Sequence, residues 1–199
     1  MKNILYIKTS LNGEQGNSTK LAQELVTKLA ASSDVNIVER DLAKHSLTHL
    51  TQTEMAAWTT AENERTQEQR VLANISDSLI AELKASDNIV LAMPMYNFGV
   101  PSTFKAWVDR VARAGVTFNY TENGPVGLLE NKQLVVIAAR GGIYAGTAKD
   151  SQTQYLKDYF AFLGIDNIKF IYAEGLNMPG GDASFAAAQT EIAQFTFSN

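Results

Sequence analysis

The chain has 199 residues, with 17 Lys plus Arg against 21 Asp plus Glu and no cysteine. One domain spanning 1–199 accounts for that length and can build a full core without covalent staples, and the missing cysteines exclude disulfides, thiolate zinc sites, iron–sulfur clusters and a cysteine nucleophile. A net charge of −4 lacks the basic face that nucleic acid or an anionic membrane requires, and 45% hydrophobic with 19% charged residues is the composition of a soluble globular protein, not a disordered one.

The N-terminal apolar stretch, Ile4 to Ile7, is too short for a signal-peptide core of roughly 7–15 apolar residues. No stretch approaches the roughly 20 apolar residues that span a bilayer. A cytoplasmic protein is expected.

Asn3–Lys8 reads as a buried strand. Ser18–Ala31 follows as a helix with Leu21, Leu25 and Leu29 on one face. Val35–Arg40 alternates as a half-buried or edge strand. Leu42–Asn63 is the least legible stretch, a long connection with a short helix around Thr53–Ala61. Thr66 and Gln69 form a capping box opening a helix that carries Leu72, Ile75, Leu79, Ile80 and Leu83 and ends about Ala85.

Asn88–Met93 is a continuous apolar run ended by Pro94, as in a strand covered on both faces. Pro101 suits the first turn of the next helix, which presents Phe104, Val108, Val111 and Ala112. Phe118–Tyr120, followed by Glu122-Asn123-Gly124-Pro125, reads as a hairpin-like insertion. Lys132–Ala139 is a fourth buried strand, Gln152–Phe162 a helix, Asn167–Tyr172 a fifth strand and Ala183–Phe197 a closing helix.

Strands alternating with helices predict an α/β chain with helices on both faces of a parallel sheet. Five strands fit the flavodoxin-like doubly wound order 2-1-3-4-5. That fold binds ligands outside the carboxyl ends of its strands, which directs attention to three loops.

The loop from Thr9 to Ser18 supplies three hydroxyls, two glycines and a helix N-terminus. It suits a phosphate held by backbone N–H groups and hydroxyls, and it equally suits a plain loop with Asn17 or Ser18 capping the helix. It contains neither Gly-x-Gly-x-x-Gly nor Gly-Lys-Ser/Thr, which points away from dinucleotides and triphosphates and toward a mononucleotide such as FMN. The loop Met93–Ser102 places Met95, Tyr96, Asn97 and Phe98 at a strand end, suited to stacking on a planar heterocycle or to covering the sheet. The loop Ala139–Gly146 carries Gly141-Gly142, where backbone can approach a ligand closely or simply turn. Three such loops at the three positions that the fold selects favour a flavin-like ligand.

Other groupings read as structural. Asp41, His45 and His49 lie in a connection without a further ligand. Glu62, Glu64 and Glu68 are a solvated helix start, and Trp58 and Trp107 are packing residues. No metal site is expected, and no Gly-x-Ser-x-Gly elbow is present.

Met95-Tyr96-Asn97-Phe98, Arg140-Gly141-Gly142 and the run from Arg113 to Pro125 closely resemble the bacterial FMN-dependent NADH-azoreductases, also described as NADH:quinone oxidoreductases. The resemblance extends through Ala173-Glu174-Gly175 and covers essentially the whole chain. It implies a homodimer with one tightly bound FMN per subunit, at sites where the subunits meet. The family's phosphate-binding positions match Ser10 and Gly16-Asn17-Ser18. Its flavin-ring positions match Met95, Tyr96, Asn97 and Phe98, and Ala139, Arg140, Gly141 and Gly142. Relatives often carry Ser at the position of Ala139, so any bond there must come from backbone, and Gly16 is expected still to offer its N–H.

The implied chemistry is a two-electron ping-pong. A hydride passes from NADH to flavin N5, and a quinone or aromatic azo compound then takes the same place. No catalytic side chain is expected, because the cofactor carries the reaction. Phe98, Tyr120 and Phe162 are the expected substrate wall, the last two resting on the resemblance, with Tyr120 reaching across the dimer. The rival reading is a flavodoxin-type one-electron carrier, against which the mild acidity argues.

Overall fold

The structure, a computed structural model, describes residues 1–32 and 34–198. Its frame is a five-stranded parallel sheet built from β1 (Lys2–Lys8), β2 (Val35–Asp41), β3 (Asn88–Pro94), β6 (Gln133–Ala139) and β7 (Asn167–Ala173). The order is β2-β1-β3-β6-β7, which is the expected 2-1-3-4-5 once the hairpin of β4 (Phe118–Thr121) and β5 (Gly124–Gly127) is set aside. The hairpin pairs antiparallel, Tyr120 opposite Pro125, as an insertion outside the main sheet.

Strand alternation explains the layers. Ile4 and Tyr6 of β1, Val90 and Ala92 of β3, and Val135 and Ile137 of β6 point to one face, where α1 (Asn17–Ser32) and α6 (Gly181–Gln194) cover them. Leu5 and Ile7, Ile89 and Leu91, and Leu134 and Val136 point to the other. There α3 (Gln67–Ala85), α4 (Ser102–Val111) and α5 (Ser151–Phe162) close the core. β3 is buried along its whole length because it pairs on both edges and is covered on both faces. β2, which among the described residues pairs only with β1, alternates in exposure as an edge strand. Trp107 is fully buried and stacks on Phe104, so it is a core residue.

The expected capping box forms: Thr66 Oγ1 accepts from Gln69 N, and Gln69 Oε1 from Thr66 N. Inside Leu42–Asn63 the short helix is α2 (Gln52–Thr59), capped by Thr51.

Two expectations need correction. Pro101 sits at the cap with extended ψ (142°), and the helix begins one residue later at Ser102. The closing helix stops at Gln194, short of Phe197. The Lys28 ammonium takes the carbonyls of Ile192 and Phe195, and Phe195 and Phe197 fold back against the α1 layer. Burying those two rings outweighs one more helical turn. Among the described residues, no helix is long and apolar enough to cross a membrane.

Candidate active site

The carboxyl ends of β1, β3 and β6 open on a shared cleft of about 260 Å³. It lies at the reversal of strand order between β1 and β3, where this topology leaves a crevice. Ser10, Gly16, Asn17, Ser18, Met95, Tyr96, Ala139, Arg140 and Gly141 line it, so nine of the twelve expected cofactor positions come together there. Asn97, Phe98 and Gly142 complete the same two loops at its rim.

The first loop is shaped by a tight approach. A Cβ on Gly16 would overlap the Ser10 hydroxyl, so glycine lets the loop fold back on β1. The Gly16 carbonyl accepts from Lys20 N, which makes Gly16 the residue before the first turn of α1 and leaves Asn17 and Ser18 inside that turn. Their side chains are therefore not helix caps. The Gly16 N–H does not face a ligand as expected; it donates to the Gly13 carbonyl at 3.1 Å. The donors left for an anion are the first-turn amides of α1, which have no intrahelical acceptor. The Ser18 side chain is fully buried, and its hydroxyl has no partner among the described residues. A buried, unpartnered hydroxyl costs stability unless something else bonds to it.

Lys8, at the end of β1, pins this loop from behind. Its buried ammonium meets Glu14 at 2.7 Å, Glu39 at 2.8 Å and Asp41 at 3.5 Å. Burial works against its charge, but the bonds to Glu14 and Glu39 win and raise its pKa. Asp41 also accepts from the amides of Ala43 and Lys44, so it closes the turn after β2. Among the described residues, no group of three His, Cys, Asp or Glu side chains is placed to hold a metal ion.

The second loop is a two-residue hairpin. Tyr96 N donates to Gly99 O at 3.2 Å, and Gly99 N returns to Tyr96 O at 3.0 Å. Asn97 (φ 51°) and Phe98 (φ 65°) both occupy the left-handed region, the pattern of a type I′ turn. Gln152 Nε2 fixes the turn by donating to the carbonyls of Pro94 and Gly99, both at 2.9 Å. The Tyr96 hydroxyl crosses to the first loop, accepting from Leu11 N at 3.1 Å and lying 3.4 Å from Ser10 Oγ. Phe98 projects outward, 51% exposed.

In the third loop the Ala139 carbonyl is taken by the Met95 amide at 3.0 Å. The Arg140 guanidinium is turned away from the cleft: it pairs with Asp150 (2.9 Å) and Glu174 (3.0 Å) and bonds to Thr153 (2.8 Å). Its role is to brace the loop. Among the described residues, the amides of Gly141 and Gly142 meet no acceptor. Their carbonyls are bonded to the amides of Asn177 (3.1 Å) and Gly175 (2.9 Å).

The expected substrate wall does not assemble within one chain. Tyr120 and Phe162 both pack on Phe118, with centroids 5.3 and 4.2 Å apart. Phe98 lies at the other end of α5, where its carbonyl accepts from Ser151 Oγ. Ser151 and Phe162 bound that helix, so eleven steps of rise separate the two groups by about 16 Å.

Gln152, Asp150 and Asn177 escaped the reading of the sequence. They are ordinary polar residues at a helix start and in a loop, and only their long-range partners reveal them.

Comparison with known proteins places this arrangement. A family model described as flavodoxin-like fold matches residues 2–196. The FMN-dependent NADH:quinone oxidoreductase of Alteromonas mediterranea is 53% identical over 198 residues, covering 98% of this chain and 99% of that one. The protein of the same name from Cellvibrio japonicus is 50% identical over 195 residues, covering 98% of each. The crystal structure of an FMN-dependent NADH-azoreductase from Bacillus anthracis, in complex with FMN, superposes with a TM-score of 0.89 at 26% identity, covering 98% of this chain and 97% of that one.

Proposed function

The chain belongs to the flavodoxin-like fold family, and from that premise we propose that it is an FMN-dependent NADH:quinone oxidoreductase that also reduces aromatic azo compounds. The observation that carries this reading is the cleft's inventory of unused donors. Among the described residues, the buried Ser18 hydroxyl at the start of α1 meets no partner, and neither do the Gly141 and Gly142 amides across the crevice. A phosphate and the polar edge of a planar ring fit those two ends. The residues present therefore suit FMN, with one cofactor per subunit.

In this reading Ser10, Asn17 and Ser18, with the first-turn amides of α1, hold the phosphate, assisted by the positive end of the helix dipole. Gly16 supplies the space for that approach. Met95, Tyr96, Asn97 and Phe98 cover the ring, and Ala139, Arg140, Gly141 and Gly142 form the backbone edge that faces its polar side. Bound FMN supplies two-electron chemistry between NADH and the acceptor. In this reading one face of the ring stays accessible beside the exposed Phe98 side chain. NADH and the acceptor use that face in turn, a ping-pong order. An azo bond needs two turns of the cycle for full cleavage. A wall of aromatic rings with few polar discriminators predicts broad tolerance among quinones.

The separation of Phe98 from Tyr120 and Phe162 supports a homodimer in which a second copy completes each site. An exposed apolar groove between α4 and α5, lined by Val108, Ala112, Tyr155 and Phe162, supports the same assembly. We place the protein in the cytoplasm, acting on small molecules without nucleic acid or membrane partners.

An anaerobic titration with NADH, followed by a menadione pulse, tests the reading. The expected result is bleaching of the flavin band in a single two-electron step and its rapid return with quinone. A yellow protein that NADH does not bleach, but a one-electron reductant does, would make it a flavodoxin-type carrier. A colourless protein that refuses FMN would overturn the site itself.

A further inference from the structure

Glu174, directly after β7, gathers more of the third loop than any residue within that loop. Its Oε1 accepts from the amides of Tyr144 and Ala145, both at 2.9 Å, and from Arg140 Nη1 at 3.0 Å. Its Oε2 lies 3.2 Å from the Ala145 amide. Its own amide is anchored to Ser184 Oγ of α6 at 3.0 Å. Arg140 is held in turn by Asp150, Thr153 and Gln152 and lies 5.0 Å above the Tyr172 ring. The carboxylate is thus fixed on a rigid backing, and the loop hangs from it.

Two consequences follow for the cleft. With the amides of Tyr144 and Ala145 drawn back to Glu174, the preceding amides of Gly141 and Gly142 are left without acceptors among the described residues. The Tyr144 side chain is folded over the loop: a Cβ on Gly142 would overlap its phenol. In that position its ring meets Phe98 edge-on, with centroids 5.4 Å apart and 68° between planes.

We propose that Glu174 is a positioning residue. It aims the Gly141 and Gly142 N–H groups at the polar edge of the bound flavin ring and seats Tyr144 as the second aromatic side of the acceptor slot beside Phe98. The inference rests on the FMN reading above. Preorganised amides favour the form of a ligand that carries more negative charge on the edge they face. Glu174 therefore strengthens the binding of reduced flavin more than that of oxidised flavin.

The test uses the full-length, FMN-loaded protein. Flavin release on dilution is followed by fluorescence, and the midpoint potential is measured, for wild type, Glu174→Ala and Glu174→Gln. Glu174→Ala is expected to bind oxidised FMN about tenfold more weakly. A further loss of about tenfold for reduced FMN makes the potential about 30 mV more negative for a two-electron couple. Glu174→Gln keeps an acceptor at the Oε1 position and loses only the charge and the longer Ala145 contact, so its FMN affinity stays within about threefold of wild type. A folded Glu174→Ala protein with unchanged affinity and potential overturns the inference while leaving the FMN reading intact. A wild type that binds no FMN overturns the reading instead. Amide exchange in the wild type needs no variant. Tyr144 and Ala145 are expected to be protected with and without FMN, and Gly141 and Gly142 only with it. Fast exchange at Tyr144 and Ala145 in the FMN-free protein overturns the proposal even if Glu174→Ala fails to fold.

Discussion

Arg110 and Glu54 form a bidentate ion pair, Nε to Oε1 at 2.6 Å and Nη2 to Oε2 at 2.6 Å, with both side chains almost fully buried. The same guanidinium donates to the carbonyls of Thr48 (2.8 Å) and Ala106 (3.0 Å). One side chain of α4 thereby bolts the long connection after β2 to the body of the protein. Removing one partner leaves the other charged and buried, so Glu54→Ala is expected to cost about 3–5 kcal/mol in urea unfolding. Replacing both partners, as Glu54→Leu with Arg110→Met, is expected to recover most of that loss. A Glu54→Ala cost below about 1 kcal/mol would mean that water reaches the pair.

Ser18→Ala separates stability from binding. The hydroxyl has no partner among the described residues, so its removal is expected to leave the FMN-free melting temperature unchanged or slightly higher. Loss of a hydrogen bond to a charged phosphate is expected to weaken FMN binding by about 1.5–3 kcal/mol, a Kd roughly 10- to 150-fold higher. Unchanged FMN affinity would remove Ser18 from the phosphate site.

Phe98→Ala is expected to retain FMN, because the ring is half-exposed at the rim and the turn is held by its backbone. Turnover of aromatic acceptors should fall or change in preference, read as kcat/KM across a series of quinones. Identical values throughout the series would remove Phe98 from the substrate wall.

Much of this was legible from local pattern. The apolar run of β3, the capping box at Thr66 and the turn residues of the hairpin each carry their reason within a few positions. Arg140 shows where such reading stops. The resemblance puts it among the flavin-ring positions, yet its charge is spent on Asp150 and Glu174, the latter 34 residues away. The end of α6 has the same origin, since helical periodicity runs past Gln194 and contacts from another helix, Lys28 on its last carbonyls and the α1 layer under Phe195 and Phe197, mark its end. The substrate wall does not close within one chain for a third reason: a list of aromatic residues contains no distance.

Asp150 gives the site a defined acid response. Burial pushes its carboxyl upward, but hydrogen bonds from Arg140 and from the Thr153 amide prevail, and its pKa is lowered. A carboxylate with a depressed folded pKa contributes stability above its unfolded value of about 3.9 and loses it as pH falls through the folded value. Asp150→Asn keeps the cap on Thr153 N and removes only the charge. Wild type is therefore expected to melt higher than Asp150→Asn near neutrality, with the gap closing below about pH 4. A gap independent of pH would show that the charge of Asp150 contributes nothing.

The left-handed turn at Asn97 and Phe98 sets two engineering goals against each other. Non-glycine residues held there cost about 1–3 kcal/mol each, maintained by Gln152 and the Tyr96–Gly99 bonds. Selection of variants for heat resistance alone would enrich glycine at position 98, relieving the backbone while deleting the ring. The survivors would be sturdier proteins with a hole in the acceptor slot, so any campaign to harden this scaffold should screen for turnover at every round.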